Sequence, residues 1–546
     1  MAKNDLRIDT LGTSITIAAD ESPEYLQKIL SKYYEAVEKV RGVSGLTDPL
    51  KIAILTGFLL CDDLEKAGNP DVKTGESENL ELQRITLGMI SLLDNALLPQ
   101  APLQTPVQEE TEFPQTPPAG KNTPRFYELL NTVKNYEWGS TEWLAALMGQ
   151  KNVSKVPQAE LWMGVHQSSP SRLLMPNGEE VSLQELIDSD REKFLGSEVS
   201  QNFGKLPFLF KVLAAAKPLS IQAHPNKKQA EEGFMDENLI GIPLDDRMRN
   251  YHDSNHKPEI ICALSPFASL CGFRQIDEIK NFLDILIKTA RSQTHLQEEF
   301  ERLYKALQQQ DENPYKAFLS SLLAMKAETV KDVTSLIRST QQELINEYGQ
   351  YNTEWNLCAY FSKLHPHDPA ILSPFYLNVI ELNPGQAMYL PAGVLHSYIH
   401  GLGIELMADS DNVLRGGLTP KHVDTFELLR ILDFCAFTPE IISAPNPLPA
   451  LFTYDRKAEE FALSVLHGEC ADIPYTVFGP SIVIITEGSA KIASPEGGQL
   501  LLHSGQSVFI PANEKPEITF SGTFTAYAAG APSKTNHGKE EYAHTG

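Results

Sequence analysis

The stretch from Pro99 to Pro124 is rich in Pro, Thr, Gln and Glu with few apolar residues, and it limits what the rest of the chain can become. Such a composition cannot bury enough surface to offset the entropy of ordering it, so it forms an extended linker. The chain is therefore not one domain. A head spans residues 1–98, the linker 99–124, and a body 125–546. At 546 residues in all, the chain exceeds what one hydrophobic core organises, and three or four structural units are expected.

The head opens with alternating apolar and polar residues, Leu6 and Ile8, then Ile15 and Ile17 around Gly12-Thr13, which reads as a β-hairpin. Ser22-Pro23 then starts a helix whose apolar residues Leu26, Ile29, Leu30, Tyr33, Val37 and Val40 recur at helical spacing. A second helix from Thr47-Asp48-Pro49 is apolar nearly all round through Ile52, Ile54, Leu55, Phe58, Leu59 and Leu60, so it needs covering on more than one side. A third segment repeats at heptad spacing through Leu82, Ile85, Met89, Leu92 and Ala96. So short a pattern pairs with another chain or packs on its neighbours.

In the body, Lys217-Pro218-Leu219-Ser220-Ile221-Gln222-Ala223-His224-Pro225 reads as a short strand. Side chains two apart in a strand share a face, so Gln222 and His224 converge while Ile221 and Ala223 face the other way. Glu259 opens a second apolar run, Glu259-Ile260-Ile261-Cys262-Ala263-Leu264, and His396 closes the run from Pro384 through Leu390-Pro391-Ala392-Gly393-Val394-Leu395. One Gln, one Glu and two His form a nitrogen and oxygen set without sulfur, which suits a divalent ion such as zinc in a site left open for a substrate. Two His and a carboxylate also suit iron, so an Fe(II) oxygenase remains a competing chemistry.

Residues 125–274 and 351–440 carry the β pattern of the ligand strands, and residues 275–350 between them are dominated by helical spacing, as in Ile279, Phe282, Leu283, Leu286 and Ile287. Residues 441–546 return to β pattern. There Ser504-Gly505-Gln506-Ser507-Val508-Phe509-Ile510-Pro511-Ala512 repeats the form of Pro384-Gly385-Gln386-Ala387-Met388-Tyr389-Leu390-Pro391-Ala392. Two related β-sandwich lobes are expected. The position of His396 falls on Pro516 in the second, which would then be structural.

The three ligand stretches, with Gln222-Ala223-His224-Pro225, His256-Lys257-Pro258-Glu259 and the Leu390 to Tyr398 run, resemble the type I mannose-6-phosphate isomerases. Tyr136-Glu137-Trp138-Gly139, Glu160-Leu161-Trp162-Met163-Gly164 and Arg415-Gly416-Gly417-Leu418-Thr419-Pro420-Lys421 extend the resemblance over roughly residues 125–530. It implies a mainly β fold, a cupin-type double β-sandwich with an inserted helical domain, and one zinc ion per chain held by Gln222, His224, Glu259 and His396. By the same resemblance Arg415 carries an active-site role. An arginine stays charged and accepts protons poorly, so His256 and Lys257, beside Glu259, are the candidates for moving one. A supporting hydrogen-bonding role for His256 stands beside that reading. Lys211, set in the apolar run Leu206 to Leu213, together with Ser220 and Lys421, is a candidate for holding a phosphate.

The head is similar to the ZapA cell-division family, which implies an α+β hairpin-and-helices unit that self-associates and can meet FtsZ. A non-catalytic sugar-phosphate sensor reporting to the division machinery is the alternative to an isomerase. Acidic residues outnumber basic ones 71 to 46, a formal charge of -25, which argues against nucleic acid or an anionic membrane as partner. A sugar phosphate must then be held by local cations. The six cysteines are scattered without a C-x-x-C pair, and no apolar run approaches membrane-spanning length, so a cytoplasmic location is expected.

Overall fold

The computed structural model describes residues 4–10, 13–19, 32, 36–37 and 126–531, apart from 176–178, 455–456, 477–478, 496 and 513–516. Two compact units divide the chain, Met1–Pro118 and Ala119–Gly546. In the first, Asn4–Thr10 and Thr13–Ala19 pair antiparallel, with Leu6 opposite Ile17 and Ile8 opposite Ile15, the register that the alternation predicts. The helix from Thr47, the heptad segment Leu82 to Ala96, the linker 99–124 and Pro516 lie outside the described residues.

The larger unit is built on two antiparallel sheets. Eleven described strands form the first, whose main path runs Ile441–Ser443, Gln386–Leu390, Glu259–Ala263, His396–Ala408, Phe208–Ala215, Glu160–Met163 and Thr132–Lys134. The thirteen-residue strand His396–Ala408 organises it. Its later half pairs with Glu259–Ala263 on one side and Phe208–Ala215 on the other, while its first residues pair with Phe267–Phe273 and Ile221–Ala223. The change of ladder falls at Gly401, which has a φ of 135° and where an added Cβ would stand 2.8 Å from Phe267 Cα. Only glycine suits that backbone and that approach.

Ile221 and Ala223 are fully buried in a core shared with the helices, together with Leu270, Leu395 and Leu414. That commitment of one strand face leaves Gln222 on the other, as the alternation requires. The helices are Ile276–Thr289, Thr294–Ala306, Pro314–Leu323, Ala327–Glu347 and Asn352–Leu364, followed by the turn Ser373–Tyr376. Ile279, Phe282, Leu283 and Leu286 are buried along the first of them. The helical segment runs past residue 350 because Trp355, Cys358 and Phe361 continue the same core, with Trp355 edge-on to Phe375 at 4.7 Å.

Ten described strands form the second sheet, including Ala462–Glu469, Ser481–Ala493, Ser507–Ile510 and Glu517–Gly530. Early strands of the body join it, since Tyr127–Leu130 pairs with Ser507–Ile510 and with Arg172–Leu174. The lobe boundary expected near 441 is therefore crossed by the chain at both ends. Phe208, Phe210, Val212, Ile260 and Ile404 of the first sheet pack with Ile482, Ile484, Phe509 and Tyr527 of the second, so the lobes share a core. Inside the second lobe the core is apolar, with Val483, Ile485, Val508, Ile510 and Phe520 buried. No described helix is long and apolar enough to cross a membrane.

Candidate active site

Three strand beginnings and ends meet at one buried point. His224 follows Ile221–Ala223, Glu259 starts its strand, and His396 starts the long strand that passes between them. The Nε2 atoms of His224 and His396 stand 3.4 Å and 3.3 Å from the two oxygens of Glu259, and the three side chains are about as buried as side chains become, at 0–1 % exposure. Neither Nε2, nor Glu259 Oε2, has a hydrogen-bond partner. Buried polar atoms left without partners are costly, and three of them facing one another call for a cation between them.

The spacing fits one. Donor atoms at about 2.0–2.1 Å from a tetrahedral zinc ion stand about 3.3–3.4 Å apart, the separations found here. Among the described residues this is the one group of three or more His, Cys, Asp or Glu that could hold a metal. Gln222 lies opposite His396 in the strand register and so shares its face.

The ring orientations are set from behind. His224 Nδ1 donates to the Asn412 carbonyl at 2.7 Å and His396 Nδ1 to the Val394 carbonyl at 2.9 Å, which leaves each Nε2 lone pair directed at Glu259. Burial pushes the His224 imidazole down to about 4, against the pull of Glu259, so the ring is neutral and able to ligate. Burial works against charge on Glu259 too, but its charged surroundings, the Lys257 ammonium among them, outweigh it and hold the carboxyl well below the usual range.

Asn412 itself is fully buried. Its Nδ2 donates to the carbonyls of Asp253 at 2.8 Å and Asn255 at 2.9 Å, and its Oδ1 accepts from the His252 amide at 2.8 Å. The carboxylate of Asp253 accepts from Ser410 Oγ and the Asp411 amide. Two loops that flank the triangle of His224, Glu259 and His396 are thereby stitched into one support. Nothing local in the sequence marks Asn412 and Asp253 beyond their being short polar residues in loops.

The remaining candidates divide by place. Lys257 is buried with Nζ 3.3 Å from Glu259 Oε1. Arg415 lies opposite Gln222 in the register, half-buried, and its guanidinium makes no ion pair or side-chain hydrogen bond among the described residues. Burial lowers its affinity for the proton. Lys421 is exposed and without an ion pair among the described residues; partial burial and the nearby Arg415 charge lower its pKa. Ser220 precedes the Gln222 strand and is partly buried.

His256 is one-third exposed and turned to Glu460, with Nε2 to Oε1 at 2.5 Å.

Lys211 departs from the expectation that it meets a phosphate. Its Nζ lies 2.9 Å from Glu405 Oε2 and 3.4 Å from Glu160 Oε1, all three buried, and Trp162 Nε1 donates to the other oxygen of Glu160 at 2.9 Å. Although burial opposes its charge, the two carboxylates raise its pKa above the ordinary value. Its charge is already matched by two anions, and a third would be repelled.

Comparison with known proteins accords with this geometry. Residues 126–276 match the family model described as phosphomannose isomerase type I, catalytic domain, and residues 6–87 the model described as cell division protein ZapA. Mannose-6-phosphate isomerase of Escherichia coli (strain K12) is 40% identical over 398 residues, covering 72% of this chain and 97% of that protein. The Homo sapiens mannose-6-phosphate isomerase is 31% identical over 417 residues, covering 72% of this chain and 95% of that one. A solved zinc-bound mannose 6-phosphate isomerase superposes with a TM-score of 0.66 at 35% identity, covering 74% of this chain and 99% of its own. A variant of phosphomannose isomerase from Salmonella typhimurium gives 0.67 at the same identity and coverage.

Proposed function

The chain belongs to the type I mannose-6-phosphate isomerases, zinc enzymes, and carries a ZapA domain at its N-terminus; from that premise we propose that it interconverts mannose 6-phosphate and fructose 6-phosphate through an enediolate. The observation that carries the reading is the buried triangle of His224, Glu259 and His396, whose facing atoms lack partners. These three, with Gln222, would hold the zinc. When bound, the ion supplies a Lewis acid that polarises sugar oxygens and offsets negative charge on them.

The chain's own residues do the rest. A base takes the proton from C2 of the open-chain aldose, and the released pair forms the C1–C2 double bond as the C1 carbonyl becomes an oxyanion. Return of a proton to C1 and transfer of the hydroxyl proton from O2 to O1 leaves the carbonyl at C2. Lys257 and His256 are the proton-moving candidates. Arg415, half-buried and unpaired among the described residues, stabilises the oxyanion. Lys421 and Ser220 hold the phosphate, since Arg415 and Lys421 are neighbouring cations left unpaired among the described residues of a chain with a formal charge of -25.

The ZapA domain is proposed to self-associate and to meet FtsZ, which places the protein in the cytoplasm and leaves the sugar site to the larger unit. A coupled assay for fructose 6-phosphate, run in heavy water, tests the chemistry. Deuterium at C1 of the ketose, or at C2 of the aldose recovered in reverse, is the expected result. Turnover with no label under any condition would point to a direct hydride shift, and no turnover would remove the isomerase reading.

A further inference from the structure

We infer that the C-terminal lobe completes the isomerase site, with Glu460 as the positioning residue that fixes the ring of His256. The inference rests on the isomerase reading above. Glu460 lies just ahead of Ala462–Glu469, a strand of the second sheet, yet its Oε1 accepts from Nε2 of His256 on the ligand-bearing segment, 204 residues earlier. His256 stands three residues before Glu259 and directly beside Lys257, whose ammonium touches that ligand.

The segment that brings Glu460 here is itself anchored. Ala458 and Phe461 are buried in the core shared by the lobes, Tyr389 Oη donates to the Lys457 carbonyl at 3.3 Å, and Lys457 pairs with Glu440 at 2.9 Å. Tyr389 belongs to the strand next to Glu259, so the same contact that holds the segment also ties it to the metal-site sheet. Glu460 is 9 % exposed and His256 30 %, an arrangement in which the carboxylate is sealed and the ring keeps one open edge.

That polarity decides what each group can do. An ionised carboxylate accepts only, so the Nε2 proton is fixed toward Glu460, and the free Nδ1, which has no hydrogen-bond partner among the described residues, presents a lone pair or a second proton outward. Rotation about the last side-chain bond of a histidine is broad when nothing holds it, and the carboxylate removes that freedom. A carboxylate behind an imidazole sets tautomer and orientation in this way wherever the ring exchanges protons. The second lobe, which keeps no metal site among its described residues, thus retains a part in the first lobe's chemistry.

The test is steady-state kinetics on the full-length, zinc-loaded protein. Glu460→Gln is expected to lower kcat about tenfold or more with KM and bound zinc close to the parent values. The same change made in a His256→Ala background is expected to have no further effect, because Glu460 acts through that ring. His256→Asn keeps a donor for Glu460 but not a titrating ring, and is expected to lose kcat as Glu460→Gln does. Parental kcat in Glu460→Gln or in His256→Asn, or equal losses from Glu460→Gln with and without His256, would overturn the inference while leaving the isomerase reading standing. A parent without turnover on mannose 6-phosphate would defeat that reading itself.

Discussion

The backbone carbonyl of Asn412 stands 2.7 Å from Nδ1 of His224, a residue 188 positions earlier, and so decides which nitrogen of that ring faces Glu259. The contact is a main-chain one, but it is the Asn412 side chain that holds the carbonyl in place, through its bonds to residues 252, 253 and 255.

Asn412→Ala should therefore lower zinc affinity by about 10- to 100-fold, the usual loss when a ligand's supporting group is removed. Competition against a chromogenic chelator measures it. Unchanged affinity in a folded variant would show that the loop holds its shape without the side chain.

Lys211 makes a different kind of prediction. Lys211→Met leaves Glu405 and Glu160 buried beside one another without their cation, and breaking a buried ion pair in this way costs about 3–5 kcal/mol. Urea denaturation should show that loss, and adding Glu405→Gln should recover part of it, since one of the stranded charges is then gone. Recovery absent, with the single variant as stable as the parent, would mean water reaches the pair.

How far the sequence foretold this site depends on how local each signal is. His224, Glu259 and His396 each sit in a recognisable run, and the strand alternation correctly separated Gln222 from Ile221 and Ala223, because that separation is a property of neighbouring residues. The helices after residue 275 were legible from the spacing of Ile279, Phe282, Leu283 and Leu286 for the same reason. The partners of Lys211 were not legible, because a cation in an apolar strand looks the same whether it meets a phosphate or a carboxylate. Its carboxylates lie 51 and 194 residues away and reach it only through the strand register. Asn412 and Glu460 were invisible on the same ground, being loop residues whose roles exist only once distant segments meet.

Arg415 and Lys421 should separate kinetically. Arg415→Ala is expected to keep bound zinc and lose about 10²-fold or more in kcat, the typical loss for one donor to a developing oxyanion. Lys421→Ala should instead raise KM for mannose 6-phosphate with kcat little changed, since the phosphate it is proposed to hold is equally charged in substrate and transition state. A raised KM alone in Arg415→Ala would move that residue from the reaction to substrate binding.

The Glu460 carboxyl also carries a pH prediction. Burial would raise its pKa, but the bond to His256 and the charge of that ring pull it below the ordinary value of 4.5. A depressed native pKa means that the unfolded chain binds the proton first, so the stabilisation is present above about pH 4.5 and fades as the pH falls through the lower native value. Glu460→Gln should be the less stable protein at pH 7, and its deficit should shrink on acidification below 4.5. A deficit constant from pH 7 to pH 3 would mean that the charge on Glu460 contributes nothing.

Isomerisation is proposed to depend on one zinc ion held by the triangle of His224, Glu259 and His396 with Gln222. Stepwise return of zinc to chelator-stripped protein, with the rate of fructose 6-phosphate formation read at each addition, tests it most directly. The expected rate is near zero in the stripped protein, rises linearly and saturates at one zinc per chain, with no saturable restoration in Glu259→Ala. Full turnover in the stripped protein, or restoration in Glu259→Ala equal to the parent's, would contradict it.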